Sequence, residues 1–279
     1  MTKMILGLSS YTYGWSIGVP GSMPADPMRE DDLVEKTLSF DLSCLQIGDN
    51  LPLHQLGEER LHALKSRVKQ EGLRLEIGAR KLTTENLQQY LEIAEFFNAP
   101  LLRFIIDDAG YEPNISTVVA IIKNHLNTLK QKKVKLGIEN HDRFKAKELA
   151  SIMESVGDEA VGVCLDCVNS LGAGEGLEYV AHTLAPYTIN LHIKDYQIER
   201  LSHKMGFIVQ GCTAGNGMMD IPGLLQVLAP YKRCESAILE QWVVPESTIG
   251  ETILKENQWA IQGIHYLKSQ MLFETNIKK

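Results

Sequence analysis

The stretch NLHIKD, residues 190–195, alternates polar and apolar side chains in a pattern that decides the interpretation of the fold. Successive side chains of a β-strand point to opposite faces, so Asn190, His192 and Lys194 share one face of a strand here. The opposite face is apolar and suits packing against helices. A strand that is apolar outside and polar inside predicts the wall of a barrel whose interior carries a polar site.

Seven further short runs accompany this strand, and each of the eight is followed by a segment of helical periodicity. The runs are ILGLSS (5–10), CLQIG (44–48), LRLEIG (73–78), LLRFII (101–106), VKLGIEN (134–140), VGVCLD (161–166), INLHIK (189–194) and SAILEQ (236–241). Strands that alternate with helices form parallel sheets, and eight such units close a (β/α)8 barrel. A doubly wound open sheet is the alternative, but no G-x-G-x-x-G motif follows the first strand. We therefore predict an α/β fold, a single (β/α)8 TIM barrel domain over residues 1–279.

The composition argues against several classes of protein. The formal net charge of −7 is mixed along the 279 residues, which disfavours a nucleic-acid surface. No apolar run reaches the roughly 18 residues of a membrane span, and the N-terminus lacks the long apolar region of a secretory signal. Five cysteines at irregular spacing form no disulfide framework. These features predict a cytoplasmic protein without a nucleic-acid or membrane partner, and they leave a homo-oligomer open.

Four of the predicted strands end in polar residues at the same end of the barrel: Glu139, Asp166, His192 and Glu240. Their apolar neighbours would face the helices, so these side chains should point into the mouth, where TIM barrels carry their active sites. Three carboxylates in one small volume need a compensating charge, which a divalent cation supplies. Carboxylates with one imidazole suit Mn²⁺, Mg²⁺ or Co²⁺, with Zn²⁺ a further candidate. The alternative is four ordinary buried polar groups, each satisfied by hydrogen bonds.

The order Glu, Asp, His, Glu on the last four strands, with LD (165–166) in the sixth and HIKD (192–195) in the seventh, resembles the xylose isomerase-like TIM barrels. This family includes sugar phosphate isomerases and epimerases. The resemblance implies that the four residues hold one divalent ion and that Glu139 and Glu240 are the acid–base pair. The family epimerases usually have Asp-x-x-His after the sixth strand, whereas this chain has Asp166 followed by Asn169.

Four further stretches resemble a subgroup of the family associated with the breakdown of acid sugars, including 3-oxo-isoapionate decarboxylases. They are SSYTYGWSIGVPG (9–21), LQIGDNLPLH (45–54), CLDCVNSLGAGEG (164–176) and MGFIVQG (205–211). This likeness implies that decarboxylation is an alternative to isomerisation.

Further polar and aromatic residues near the predicted strand ends are candidates for binding substrate: Tyr11, Gln46, Glu76, Arg103 and Asn169. Structural pairing is the alternative for Glu76 and Arg103, and ordinary packing is the alternative for Tyr11. Lys194 shares the inward face with His192, where it could act catalytically by holding an oxyanion or carboxylate. Its alternative role is an ion pair with a neighbouring carboxylate.

The segment after the seventh strand is longer than a simple loop. SHKMGF (202–207) is a candidate lid. The glycine-rich stretch GCTAGNG (211–217) could bind an anion through its backbone amides, and a flexible turn is the alternative.

These observations predict a divalent-metal-dependent enzyme of carbohydrate metabolism, acting on a small keto or hydroxy sugar or a sugar acid. The metal would polarise a carbonyl, a glutamate would remove the adjacent proton, and the metal-stabilised enediolate would lead to isomerisation or epimerisation. Decarboxylation of a 3-oxo sugar acid passes through a similar enolate and is the alternative; dehydration of a keto-polyol is another. A metal-dependent DNA-repair endonuclease and a non-catalytic sugar-binding barrel are less consistent with this ligand set.

Overall fold

The computed structural model describes residues 4–270. The ten strands are β1 (Ile5–Ser9), β2 (Cys44–Ile47), β3 (Arg74–Arg80), β4 (Leu101–Ile105), β5 (Lys135–Glu139), β6 (Val161–Asp166), β7 (Thr188–Ile193), β8 (Asp195–Arg200), β9 (Phe207–Cys212) and β10 (Ser236–Leu239). The nine α-helices of this range are α1 (Gly14–Ile17), α2 (Glu30–Ser39), α3 (Glu58–Glu71), α4 (Thr84–Phe97), α5 (Ile115–Lys132), α6 (Ala146–Val156), α7 (Leu177–Leu184), α8 (Ile221–Leu228) and α9 (Ile249–Lys268).

Eight of the strands form a closed parallel barrel. The order around it is β1, β10, β7, β6, β5, β4, β3 and β2, and β1 pairs with both β10 and β2. All eight predicted strands are therefore present, and the prediction of a (β/α)8 barrel is confirmed. The open-sheet alternative is wrong, because an open sheet would leave two unpaired edge strands. The predicted domain of residues 1–279 extends at both ends beyond the described residues.

The apolar neighbours of the polar strand ends are buried as the strand period requires. Ile138, Leu165, Leu191 and Leu239 all belong to the hydrophobic core. Because neighbouring side chains on a strand point to opposite faces, the polar residues beside these four are directed into the barrel. The packing of strands against helices thus determines which side chains reach the interior.

The helices begin and end at residues that satisfy their terminal backbone groups. The Thr83 side chain accepts a hydrogen bond from the Asn86 backbone N–H at the start of α4, and Asn98 ends that helix in the left-handed conformation. A capping box between Thr248 and Glu251 starts α9. These local signals fix where the two helices begin and where α4 ends.

The segment that follows β7 forms a feature that the sequence analysis did not anticipate. Strands β8 and β9 pair antiparallel, from Asp195 opposite Cys212 to Arg200 opposite Phe207, and form a hairpin outside the barrel sheet. Residues 202–207, the candidate lid, form its turn and the start of β9. Ile198 and Val209 of the hairpin are exposed. Because most of the hairpin is not buried, its sequence lacks the regular alternation that predicts a strand.

Within residues 4–270, no helix is both long and apolar enough to cross a membrane. The cytoplasmic location and the oligomeric state stay predictions.

Candidate metal centre

The carboxyl ends of β5, β6, β7 and β10 bring Glu139, Asp166, His192 and Glu240 into one cluster. From His192 Nδ1, the distances are 3.4 Å to Glu240 Oε1, 3.8 Å to Glu139 Oε2 and 3.8 Å to Asp166 Oδ2. All four residues are at most 3% exposed. The parallel register contributes directly, because it sets Asp166 opposite His192 on adjacent strands. The three predicted carboxylate ligands therefore surround one ring nitrogen of the fourth, His192.

Gln46 determines which nitrogen of His192 carries the proton. The Gln46 side-chain NH₂ donates to Glu76 Oε2 and to Asn190 Oδ1, each at 3.2 Å. Its oxygen therefore faces His192 Nε2, at 2.7 Å, and can only accept, so Nε2 carries the hydrogen. Nδ1 is left as a buried, unprotonated nitrogen without a hydrogen-bond partner among the described residues. Such a lone pair is free to bind a metal ion.

Two buried cations also contact the cluster. Lys194 Nζ lies 2.6 Å from Asp166 Oδ2 and 2.9 Å from Glu240 Oε2. Arg103 Nε lies 2.8 Å from Glu139 Oε2. With all three carboxylates ionised, as metal ligation requires, they and the two cations have one net negative charge when His192 is neutral. A bound dication would change this to one net positive charge, which favours an anionic ligand or a negatively charged intermediate.

The two glutamates of the cluster differ in acidity. Burial raises the pKa of Glu139 to about 8, because the nearby cations offset only part of the desolvation cost. Burial acts on Glu240 in the same direction, but His192, Lys194 and Arg103 outweigh it and lower the pKa to about 2. Burial lowers the pKa of His192 to about 4, so the imidazole is neutral at pH 7. In the metal-free cluster the surroundings thus favour the protonated form of Glu139 and the ionised form of Glu240.

The donor atoms of the cluster fit a divalent cation. Ligand atoms of Asp166, His192 and Glu240 all lie within 4.8 Å of one another, and so do those of Glu139, Cys164 and His192. The Cys164 thiol donates a hydrogen bond to a buried amide oxygen, and burial raises its pKa well above the usual value. A neutral thiol is a poor metal ligand, so the effective donors are carboxylate oxygens and one imidazole nitrogen. Hard or borderline divalent ions prefer this donor set.

The other sequence-predicted residues lie at two depths. Asn169 Nδ2 donates to Glu139 Oε1 at 2.9 Å, and the Tyr11 hydroxyl donates to Asp49 at 3.0 Å near the mouth. Gln46 and Glu76 were expected at the mouth but lie deeper. Glu76 accepts a hydrogen bond from Ser236, the first residue of β10, and Gln46 contacts His192 from within the barrel. Their polar atoms bind protein partners, so they support His192 rather than line the entrance.

A cavity of about 910 Å³ lies at the mouth of the barrel. Its wall includes Trp15, Asp49, Arg80 and Trp242, together with residues of β9. The four candidate ligands do not line it. Lys194, which contacts Asp166 and Glu240, lies close to this wall, with its Nζ 5.7 Å from the centre of the Trp242 ring.

The sequence analysis missed several of the residues at this entrance. Asp49, Arg80 and Trp242 follow or end the strands β2, β3 and β10, where barrel active sites lie, so their position alone could have identified them. Ser9 ends β1, and its hydroxyl donates to Glu240 Oε1 at 2.9 Å. No feature of the sequence distinguishes this serine from an ordinary buried one.

The glycine-rich stretch 211–217 already has an anionic partner within the chain. Asp195 Oδ2 accepts hydrogen bonds from the backbone N–H groups of Gly215 and Gly217, each at 2.9 Å, and Oδ1 accepts from Tyr196 and Met219. These amides are therefore not free to bind the external anion that the sequence suggested. Residues 211–217 are therefore better described as a turn, which the Asp195 carboxylate holds through these hydrogen bonds.

Comparison with known proteins agrees with this architecture. A sequence profile of the xylose isomerase-like TIM barrels matches residues 38–270. The chain belongs to this family. The resemblance based on the Glu-Asp-His-Glu order is thereby confirmed.

Individual relatives match this xylose isomerase-like barrel over at least 95% of its length. It is 28% identical over 264 residues to the 3-oxo-isoapionate decarboxylase of Pectobacterium atrosepticum, an alignment that covers 95% of each chain. A crystal structure of D-psicose 3-epimerase, determined in the presence of D-fructose, matches with a TM-score of 0.70 at 15% identity, over 95% of this chain and 97% of that chain. A xylose isomerase-like TIM barrel protein from Mycobacterium smegmatis in complex with magnesium matches with a TM-score of 0.66 at 12% identity, over 96% and 98% of the two chains. The two structural matches establish the shared fold.

Proposed function

We propose that this xylose isomerase-like barrel is a divalent-metal-dependent carboxy-lyase that removes CO₂ from a 3-oxo sugar acid. The observation that carries the proposal is the position of Lys194, a buried ammonium group in direct contact with two of the candidate metal ligands. With a dication bound, the cluster has a net positive charge. That charge suits a carboxylate substrate and the enolate that remains after CO₂ leaves, whereas a neutral ketose makes less use of it.

The unequal acidity of the two glutamates supports the same reaction. Epimerisation by two residues needs an acid–base group on each face of the substrate. Glu240, with a pKa of about 2, is a weak base, and its two oxygens already contact Ser9 and Lys194. Burial raises the pKa of Glu139, so this carboxyl is the better candidate for proton exchange. One such group is sufficient for decarboxylation, which needs a single proton donor.

Each step can be assigned to residues of the cluster. The C–C bond to the carboxylate breaks, CO₂ leaves, and the electron pair moves toward the carbonyl oxygen of the substrate. Lys194 stabilises the negative charge that develops on that oxygen. Glu139 donates a proton to the carbon that lost CO₂ and regains a proton from water. Asn169, which donates to Glu139 Oε1, orients that carboxyl group. A divalent ion held by Glu139, Asp166, His192 and Glu240 would polarise the carbonyl as a Lewis acid.

The similarity to a 3-oxo-isoapionate decarboxylase over 95% of the chain supports a substrate of that type, a branched or linear 3-oxo sugar acid. Isomerisation or epimerisation of a small ketose is the second candidate. The raised pKa of Glu139 favours it, because a carboxylate with this pKa is also a competent general base for removing a proton next to a carbonyl.

NMR of the Mg²⁺-loaded protein in D₂O distinguishes the two reactions. Mg²⁺ is used rather than Mn²⁺ because paramagnetic Mn²⁺ would broaden the spectra. 3-Oxo-isoapionate and a panel of four- to six-carbon ketoses are the test compounds. Release of CO₂ together with deuterium at the carbon that carried the carboxylate supports the carboxy-lyase. Deuterium next to the carbonyl of a ketose, without loss of carbon, supports the second candidate. Turnover of 3-oxo-isoapionate at the uncatalysed rate would contradict the proposal for that substrate.

The matched variants are Glu139→Gln and Glu154→Gln. The first removes the proton donor and should abolish CO₂ release. The second changes a glutamate on α6 whose side chain contacts Tyr187 at the protein surface, and it should leave the rate unchanged. Equal rates for both variants and the wild type would show that Glu139 has no part in the reaction.

A further inference from the structure

Arg80, the last residue of β3, contributes a half-buried guanidinium group to the wall of the mouth cavity. Its Nε donates to Asp49 Oδ2 at 3.0 Å. The outer nitrogens, Nη1 and Nη2, make no hydrogen bond with any residue between 4 and 270, and Asp49 is the one ion-pair partner of Arg80 in that range. Asp108 also lines the cavity but forms no ion pair with Arg80 in this structure. The outer edge of the guanidinium is thus available to a ligand in the cavity.

This arrangement differs from that of Arg143. Arg143 binds Asp107 through both Nε and Nη2, and its Nη2 also donates to the Pro113 carbonyl oxygen. Asp49 cannot bind Arg80 in that way, because its second oxygen, Oδ1, accepts a hydrogen bond from Arg103 Nη1 at 2.7 Å. Asp49 therefore binds Arg80 through Nε alone, and the Nη1 and Nη2 groups of Arg80 have no hydrogen-bond partner among residues 4–270.

The position of Arg80 is fixed through a chain of buried contacts. Asp49 accepts hydrogen bonds from Tyr11, Arg80 and Arg103, and Arg103 in turn contacts Glu139 in the candidate metal centre. A guanidinium held by its Nε is already oriented and loses little further freedom when its outer edge binds an anion. The same contacts connect the entrance of the cavity to the reaction centre.

We propose that the outer edge of Arg80 binds the carboxylate group of the substrate as a bidentate partner, and that Asp49 positions it. The inference rests on the proposed function, because it assigns to Arg80 the selection of a sugar acid over a neutral sugar. Two parallel N–H donors match the spacing of carboxylate oxygens. A phosphate monoester presents oxygens of similar spacing, so the shared chemistry is that of an oxyanion, and the assignment to a carboxylate is tested against phosphate below. Arg80 is a binding group and takes no part in breaking the C–C bond.

Titration of tryptophan fluorescence measures this binding without turnover, because Trp15 and Trp242 both line the cavity. The Mg²⁺-loaded protein is titrated with threonate, with the neutral polyol threitol and with glycerol 3-phosphate. We expect threonate to bind about 10- to 100-fold more weakly to Arg80→Gln than to the wild type, which corresponds to the loss of hydrogen bonds to a charged group. Arg80→Lys, which keeps the charge but not the paired donors, should lie between them, and threitol should bind all variants equally.

The matched control is Arg143→Gln, which removes an arginine whose Nε and Nη2 groups both bind protein partners. It should bind threonate as the wild type does, whereas Asp49→Asn should weaken binding without removing Arg80. Circular dichroism confirms that each variant is folded, and Arg80→Lys keeps the test decisive if Arg80→Gln does not fold.

Equal binding of threonate to the wild type and to both Arg80 variants would overturn the inference, and so would a wild type that binds threonate no better than threitol. Arg80-dependent binding of glycerol 3-phosphate that is tighter than that of threonate would overturn the assignment to a carboxylate. The binding titration measures no turnover. If threonate binds in an Arg80-dependent way but the enzyme releases no CO₂, the result contradicts the proposed function and leaves the role of Arg80 standing. With an active enzyme, Arg80→Gln should raise KM for the acid substrate and leave kcat within about threefold of the wild type.

Discussion

Replacement of Gln46 by methionine tests whether the inner hydrogen-bond network prepares His192 for a metal ion. Methionine has nearly the same length but removes the oxygen that lies 2.7 Å from His192 Nε2. It also removes the NH₂ group that donates to Glu76 and Asn190. The imidazole then loses the contact that fixes its proton on Nε2 and its orientation toward the three carboxylates.

The expected magnitude follows from the burial of the bond. His192 and Gln46 are fully buried, so the Nε2–H group left without an acceptor costs about 1–3 kcal/mol. Loss of the partner that orients a metal-ligating histidine typically weakens metal affinity about 10- to 100-fold. We therefore expect the Kd for Mn²⁺ to rise by one to two orders of magnitude, or about 1.4–2.7 kcal/mol.

The assay is titration of metal-free protein with Mn²⁺, with free Mn²⁺ followed by electron paramagnetic resonance. Gln88→Met is the matched control, because Gln88 lies partly exposed on α4 and its side-chain amide donates to Glu92 in the same helix. Nitrogen-15 NMR of labelled histidine reports the tautomer independently. A Kd for Gln46→Met within about threefold of the wild type would refute the reasoning, and so would a proton on Nδ1 in the metal-free wild type.

Three further predictions concern charged residues around the barrel mouth. Lys194→Met should lower the melting temperature of the metal-free protein, because two buried carboxylates lose a partner at a cost of about 3–5 kcal/mol. Mn²⁺ should raise the melting temperature of this variant more than that of the wild type. Equal increases for both proteins in differential scanning calorimetry would contradict this. Asp195→Asn should speed hydrogen exchange of the Gly215 and Gly217 amides about tenfold or more, and mass spectrometry showing unchanged protection would rule this out. Burial alone would raise the pKa of Asp49, but Arg103 and Arg80 hold it well below its usual range, so the stability that this carboxylate contributes is present above its unfolded pKa of about 4 and lost as the pH falls. The difference in unfolding free energy between wild type and Asp49→Asn should therefore be constant above about pH 5 and shrink in denaturant titrations at lower pH; a difference independent of pH would refute the assignment.

The local sequence pattern was sufficient for the barrel. The strand runs are short and rich in apolar residues, and the helical segments have the helical period and terminal signals. This information lies within about 20 neighbouring residues. The strand count then implied closure. The four polar strand ends followed from the same alternation, because a residue beside Ile138 or Leu191 on a strand must point the other way.

The hairpin and the inner hydrogen-bond network could not be predicted in this way. Strands β8 and β9 are mostly exposed, so the burial that produces a regular pattern is missing. The roles of Gln46 and Glu76 depend on depth within the barrel, and depth is set by the stagger of neighbouring strands. The sequence placed both residues near strand ends, whereas the structure places Gln46 against His192 and Glu76 against Gln46 inside the barrel.

By itself, the sequence determined the number of strands, the class of the fold and the set of residues that converge at the carboxyl end of the barrel, because these follow from short-range periodicity. Only the tertiary structure decided how the charges of that set are balanced. Lys194 and Arg103 contact carboxylates on other strands, and Asp49 links Arg80 to Arg103 across the barrel mouth. These ion pairs join residues that are far apart in the chain. They depend on distances of a few ångströms, which are set when the barrel closes and cannot be obtained from the periodicity of the sequence.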